Sequence, residues 1–390
     1  MMVDAAKYQK ELGRILSYWS TVAFDKTNDR FYGKIGNENQ VDVFASLGSV
    51  LYSRILWSFC AGYKATQNED YLQFADKAYE YLIDKFLDKE YGGVYWSLDS
   101  NGEPLDTKKQ IYALSFAIYG LTEYYMVRKE EKALDVAIGL YMLIEQHSFD
   151  PVQLGYLEAF NSDWSSAGDL RLSAKDANEK KTMNTHLHIL EAYTNLYRVW
   201  PESSVLKQIK QLIDVFINHI IHKETAHLQL FFDENWKSKS TIISYGHDIE
   251  ASWLLLEAAE VTNDEELIAK IKEIAVQMAN AAAKGLSGDG GLNYEFENGH
   301  LIEEKHWWVQ AEALVGFYNA FQLTGDKVFL ERFEKSWDFI EKYILDVDKG
   351  EWYWGVHSDY SLMQHEDKAG FWKCPYHNSR ACIEIMRRIA

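Results

Sequence analysis

Proline is scarce in this chain of 390 residues, which has four. A residue that removes a backbone donor and breaks helices is nearly missing, and that leaves room for long uninterrupted helices. Cysteine is scarce too. Cys60, Cys374 and Cys382 form no C-x-x-C pair and no even-numbered set, which argues against a disulfide framework and for thiols in a reducing compartment. Positive charge is in deficit: 40 Lys and Arg stand against 59 Asp and Glu, a net charge of -19. Such a surface repels phosphate backbones and acidic headgroups. Neither nucleic acid nor a membrane surface is therefore an expected partner, whereas a neutral or cationic small molecule is. No apolar run is long enough to span a bilayer, and Met1 to Lys10 carries charge with no apolar signal core. A cytoplasmic location is expected.

Aromatic residues are abundant, with 13 Trp and 25 Tyr. Their planes suit a carbohydrate site, where the apolar face of a sugar ring stacks, and suit core packing equally well. Many of them recur in a repeat. Short aromatic, strand-like motifs beside Gly or Asn occur at Arg30 to Gly33, Gly92 to Trp96, Gly155 to Phe160, Leu228 to Phe232, Gly290 to Tyr294 and Gly350 to Trp354. The spacing is roughly 60–75 residues, and each motif reads as a small β-hairpin.

Between the motifs lie stretches of helical period. Tyr71, Phe74, Ala75, Ala78 and Leu82 follow the i, i+3, i+4, i+7 pattern, as do Val205, Ile209, Leu212, Ile213 and Phe216, with Ile217 beside them. Val328, Phe329, Phe333, Trp337, Ile340 and Ile344 form a third stripe. Each interval has room for two helices. Six helix pairs closing on themselves predict an all-α (α/α)6 barrel with short hairpins between pairs; an open solenoid is the competing arrangement. No linker or composition shift divides the chain, so one catalytic domain spanning 1–390 is expected. In a closed barrel, residues near one end of each inner helix meet in a single pocket.

Candidates for chemistry fall just after each motif. Arg54 sits in an apolar stretch, and a buried Arg needs an acceptor, either a carboxylate or an oxygen-rich ligand. Tyr112 follows in the next unit. In the third, Asn184 and His188 share a helix face, whereas His186 and His188 diverge, the wrong geometry for a metal pair. In the fourth, His247 and Glu250 stand i,i+3, which would let the carboxylate orient the imidazole and raise its basicity; Trp253 continues that stripe. No second His-x-x-Glu of matching context is apparent, and no metal is expected. Trp308 and Glu312 share a face in the fifth unit. In the sixth, Trp372 precedes Pro375, and His377 lies at a helix N-terminus.

The stretches Ser53 to Trp57, Asp176 to His188, His247 to Trp253, Trp307 to Ala313 and Pro375 to Arg380 resemble the N-acylglucosamine 2-epimerase superfamily, and within it the cellobiose 2-epimerases. The likeness runs through nearly the whole chain and implies an (α/α)6 barrel. It also implies inversion of C2 in the reducing-end glucose of a β-1,4-linked disaccharide, with His247 and His377 as the general acid/base pair. By the same resemblance His188 and Arg54 contact O1 and O2 of the reacting sugar. Tyr112, Asn184, Glu250, Trp253, Trp308 and Glu312 shape the reducing-end site, Trp372 stacks on a sugar ring, and Asp176 touches the outer unit. The chemistry favours histidine: the C2 proton of an open-chain aldose is removable, and an unperturbed imidazole titrates near 6.5. Arg54 or a protonated His188 would stabilise the enediolate. No cofactor is expected, and the protein is expected to work as a monomer or weak homodimer. A monosaccharide 2-epimerase, an aldose–ketose isomerase, a two-carboxylate glycoside hydrolase and a non-catalytic sugar-binding protein are the alternatives.

Overall fold

The computed structural model describes residues 4–389, and helices dominate it. In chain order they are α1 (Ala5–Thr21), α2 (Ser49–Thr66), α3 (Asp70–Tyr81), α4 (Ile111–Arg128), α5 (Glu131–His147) and α6 (Met183–Val199). They continue with α7 (Ser203–Val215), α8 (Tyr245–Val261), α9 (Glu265–Ala282), α10 (Trp307–Thr324), α11 (Lys327–Phe339) and α12 (Tyr376–Ile389). Each even-numbered helix packs on the next, from α2 through α12, and α12 packs back on α2. The odd helices cover them from outside: α3 lies on α2, α5 on α4, α7 on α6, α9 on α8, α11 on α10, and α1 on α12. This cycle fits the α/α toroid anticipated from the repeat. No described helix is long and apolar enough to cross a membrane.

The two rings differ in sequence because they differ in surroundings. Every residue from Ser49 to Gly62 in α2 and from Ile111 to Tyr124 in α4 is buried. Helices enclosed on all sides must satisfy their own hydroxyls. Ser53 Oγ accordingly donates to Ser49 O, and Ser115 Oγ to Ile111 O. The outer helices bury one stripe only, in α7 through Val205, Ile209, Leu212 and Ile213. Val328 departs from its expected stripe and is exposed at the start of α11. Three outer helices also end in a π turn, at Leu82–Phe86, Phe216–Ile220 and Ile340–Ile344.

The aromatic motifs close local hairpins through single bridges, among them Phe149–Tyr156, Ile221–Leu228 and Leu345–Trp352. Further strand pairing runs between units as well as within them, where Glu295–Glu297 pairs with His300–Ile302. Leu47–Gly48 pairs with Ser97–Leu98, Lys109–Gln110 with Ala159–Phe160, Lys181–Thr182 with Phe231–Phe232, Ile243–Ser244 with Glu295–Phe296, and Lys305–His306 with Gly355–Val356. The strand before an inner helix is thus stitched to the following connection. An isolated two-stranded hairpin is marginal in water, and the stitching turns these hairpins into a continuous belt at the N-terminal ends of the inner helices. Buried ion pairs fasten it: Lys109 with Asp88, Lys181 with Asp150 at 2.8 Å, and Lys368 with Asp346.

Candidate active site

Four inner helices send charge to one point. Arg380 of α12 donates through Nη2 to Glu250 Oε1 of α8 (2.6 Å) and to Glu312 Oε1 of α10 (2.7 Å). Its Nη1 reaches Glu191 of α6, which also accepts from the Tyr376 hydroxyl. Trp253 Nε1 donates to Glu312 Oε2 at 3.0 Å, and the guanidinium lies over the rings of Trp253 and Tyr376. All of these residues are buried. Three buried carboxylates around one guanidinium cannot all ionise freely. Burial, with the charge of Glu312, pushes Glu250 up to about 8. Burial opposes ionisation of Glu191 as well, but Arg380 and the bonds from His188 and Tyr376 outweigh it and hold that carboxyl at about 2. Glu250, Glu312 and His377 offer ligand atoms within 4.8 Å of one another, and the two carboxylates share Arg380 as their cation.

Three imidazoles surround this cluster. His377 Nδ1 lies 2.7 Å from Glu312 Oε1, and His188 Nδ1 lies 2.9 Å from Glu191 Oε2. In both, Nδ1–H donates to a carboxylate and Nε2 is left free. His247 Nδ1 lies 2.8 Å from the hydroxyl of Ser244. The Trp308 indole packs against His247 and His377 alike, with ring centroids 4.8 and 5.7 Å away. Gly246 makes room for it, since a Cβ there would stand 2.5 Å from the indole. Burial lowers the pKa of all three histidines. His247 falls to about 3, with His188 adding to the effect; His377 falls well below 6.5, with Arg54 and Arg380 adding; and His188 falls despite Glu191. The three are therefore neutral near pH 7, the state in which Nε2 can take a proton.

A cation stands beside them. Arg54 of α2 donates to the Tyr112 hydroxyl at 2.7 Å, and its guanidinium lies 4.0 Å from the Phe116 ring centroid. Its Nε has no partner. Burial works against its charge, but its surroundings outweigh that and leave its pKa above the ordinary arginine value. His188 packs on Tyr112 and Phe116, and Tyr112 in turn packs against Trp372, which rests on Trp96. Neutral bases, fixed cations and an aromatic wall are what proton abstraction next to a carbonyl requires.

The model of the N-acylglucosamine 2-epimerase (GlcNAc 2-epimerase) family matches residues 31–381. The chain belongs to this family. The cellobiose 2-epimerase of Bacteroides fragilis is 51% identical over 381 residues, 97% of each chain. That of Dictyoglomus turgidum is 38% identical over 96% of each. The structure of cellobiose 2-epimerase from Bacillus thermoamylovorans B4167 superposes with a TM-score of 0.95 at 41% identity, covering 98% of this chain and 99% of that one. The protein is a carbohydrate epimerase, an isomerase.

The epimerase's geometry corrects three expectations. His247 is not oriented by Glu250, because Arg380 takes that carboxylate; Ser244 holds the ring, and its basicity falls rather than rises. A second His-x-x-Glu does exist, at His188 and Glu191, and there the two side chains meet. Burial lowers the pKa of His188, so of the two groups expected as cations Arg54 is the one whose charge the surroundings favour.

The remaining candidates divide by exposure. Asn184, His247, Trp308 and Trp372 keep some exposed surface, and Asn184 Oδ1 has no partner. Glu250, Trp253 and Glu312 are at most 1% exposed and stand behind the histidines. Asp176 lies apart on the rim, where its carboxylate accepts from Ser173 N and its charge helps to raise Glu295. His186, two residues from His188, turns away: its Nε2 accepts from Tyr156 N at 2.8 Å and its Nδ1 lies against Thr182 O. Arg380, Glu191, Tyr376 and Ser244 were given no role from sequence. The i,i+3 spacing could have found Glu191.

Proposed function

We propose that this epimerase inverts C2 of the reducing-end glucose in β-1,4-linked disaccharides, turning cellobiose into glucosylmannose and lactose into epilactose. The relatives named above carry the substrate class. The observation that carries the chemistry is the placing of His247 and His377 against one indole, that of Trp308. In the open-chain sugar the C2 proton passes to Nε2 of one histidine and the electron pair moves into an enediolate. The intermediate turns about C2–C3, and the other histidine returns a proton to the opposite face. The proton that leaves is matched by one that returns, so the reaction balances without a redox partner. Glu312 behind His377 stabilises the imidazolium while it exists. Arg54 and Tyr112 face the developing oxyanion, with His188 beside O1 and O2. Trp308 and Trp372 offer apolar faces to the sugar, the unpartnered Oδ1 of Asn184 suits a hydroxyl, and Asp176 on the rim suits the outer glucose.

Incubation with cellobiose in D2O tests this reading. Deuterium at C2 together with an epimeric disaccharide is the expected result. Ketose as the main product would make the enzyme an aldose–ketose isomerase, and released glucose would make it a hydrolase. Initial rates on cellobiose and lactose should exceed that on mannose; the reverse would make it a monosaccharide 2-epimerase.

A further inference from the structure

The junction of strand and inner helix recurs around the ring, and at α8 one side chain leaves its usual post. Ser244 is the N-cap residue of α8. A serine there ordinarily turns its Oγ onto the backbone N–H of the second or third helical residue. Thr182 does this in the same place before α6, where its Oγ1 accepts from Thr185 N at 3.1 Å. Ser244 makes no such bond. Its Oγ lies 2.8 Å from the imidazole Nδ1 of the third helical residue, His247, and Ser244 is fully buried. The backbone beneath it is pinned, because Ile243 and Ser244 pair with Phe296 and Glu295. A hydroxyl well placed to close a helix end holds a half-buried ring instead.

We propose that Ser244 is a positioning residue for His247: its hydroxyl holds Nδ1, fixes the rotation of the ring and leaves Nε2 as the atom that meets the reacting carbon. This rests on the reading of His247 as one of the two proton-transfer groups. In the step itself the C2–H bond breaks, the proton goes to Nε2 and the electron pair goes to the enediolate. Ser244 accepts Nδ1–H throughout and keeps its own proton. The choice of a hydroxyl has a chemical consequence. His377 and His188 each have a carboxylate on Nδ1, which stabilises an imidazolium and retains its proton. A hydroxyl aims the ring without adding negative charge behind it.

The test compares S244A, S244T, T182A and H247A in the full chain, with cellobiose as substrate. S244A should lower kcat about tenfold to a hundredfold, the range seen when the partner that orients a metal-bound histidine is removed. KM should stay within about twofold. Because no cap is lost, the Tm of S244A should stay with the parent, whereas that of T182A should fall. S244T should recover most of the rate, since threonine is accommodated at the matching position 182. Parental kcat in S244A, a fall in its Tm as large as that of T182A, or a threonine that fails to rescue would each overturn the proposal. An inactive H247A beside an unchanged S244A would sink the role of Ser244 alone; an active H247A would sink the two-histidine reading and the role of Ser244 with it.

Discussion

At the start of α6, Thr182 caps the helix, His186 ties it to the hairpin ahead through Tyr156 N, and His188 faces the interior with Glu191 behind it. At the start of α8, Asp248 takes the tying role through Leu228 N at 2.8 Å, with His227 on its other oxygen. His247 faces the interior, and the capping hydroxyl has moved onto it. The two junctions share one load, the fourth helical position that anchors a hairpin, and carry it with different chemistry. They part at the cap. On α6 that position serves the fold, and on α8 it serves the ring. Residue type alone therefore says little about which histidine does chemistry; the face on which it falls, and what competes for its partner, decide.

The widest gap between the junctions should open in activity. H247A and H377A should each lose about a hundredfold to ten-thousandfold in kcat/KM, the range for removing a general acid or base, while H186A should keep its kcat. A comparable loss in H186A would erase the distinction drawn within α6.

Next comes pH. Burial holds His186 and His247 at about 3, against 6.5 when unfolded. The unfolded chain then binds more protons below pH 6.5, so stability is full above that value and declines as pH falls towards 3. The slope is about 1.4 kcal/mol per pH unit for each histidine. Tm measured from pH 7 to 4 should fall, and less steeply in H186A; an equal slope in that variant would remove His186 as a source. Smaller still, T182A should cost about 1 kcal/mol or more of stability through the lost cap and the lost bond to Glu158, read as a shift in Tm of a few degrees.

Much of this architecture was legible because the repeat was. The apolar stripes of α3 and α7 and the aromatic motifs marked the pairs, and a common phase picked out His188, His247 and His377 near the starts of inner helices. The belt pairing escaped because register between segments some fifty residues apart leaves no local pattern. Arg380 escaped for a related reason. Its partners Glu312, Glu250 and Glu191 lie 68, 130 and 189 residues away, and nothing nearby in sequence announces them. Glu250 was assigned to His247 because i,i+3 spacing grants proximity, yet a guanidinium from another helix outbids a neutral ring for a buried carboxylate. Ser244 was overlooked because a serine before a helix reads as a cap.

The covering of α12 by α1 has a bearing on how the chain is made. Of the described helices α1 leaves the ribosome first and α12 last, so the earliest helix meets the main partner of its apolar side only when synthesis of the rest is done. Over that interval the acids of α6, α8 and α10 lack the guanidinium that neutralises them, and three carboxylates cannot be sealed from water without it. Closure of the ring and neutralisation of its three buried carboxylates therefore depend on the same last helix, through Arg380.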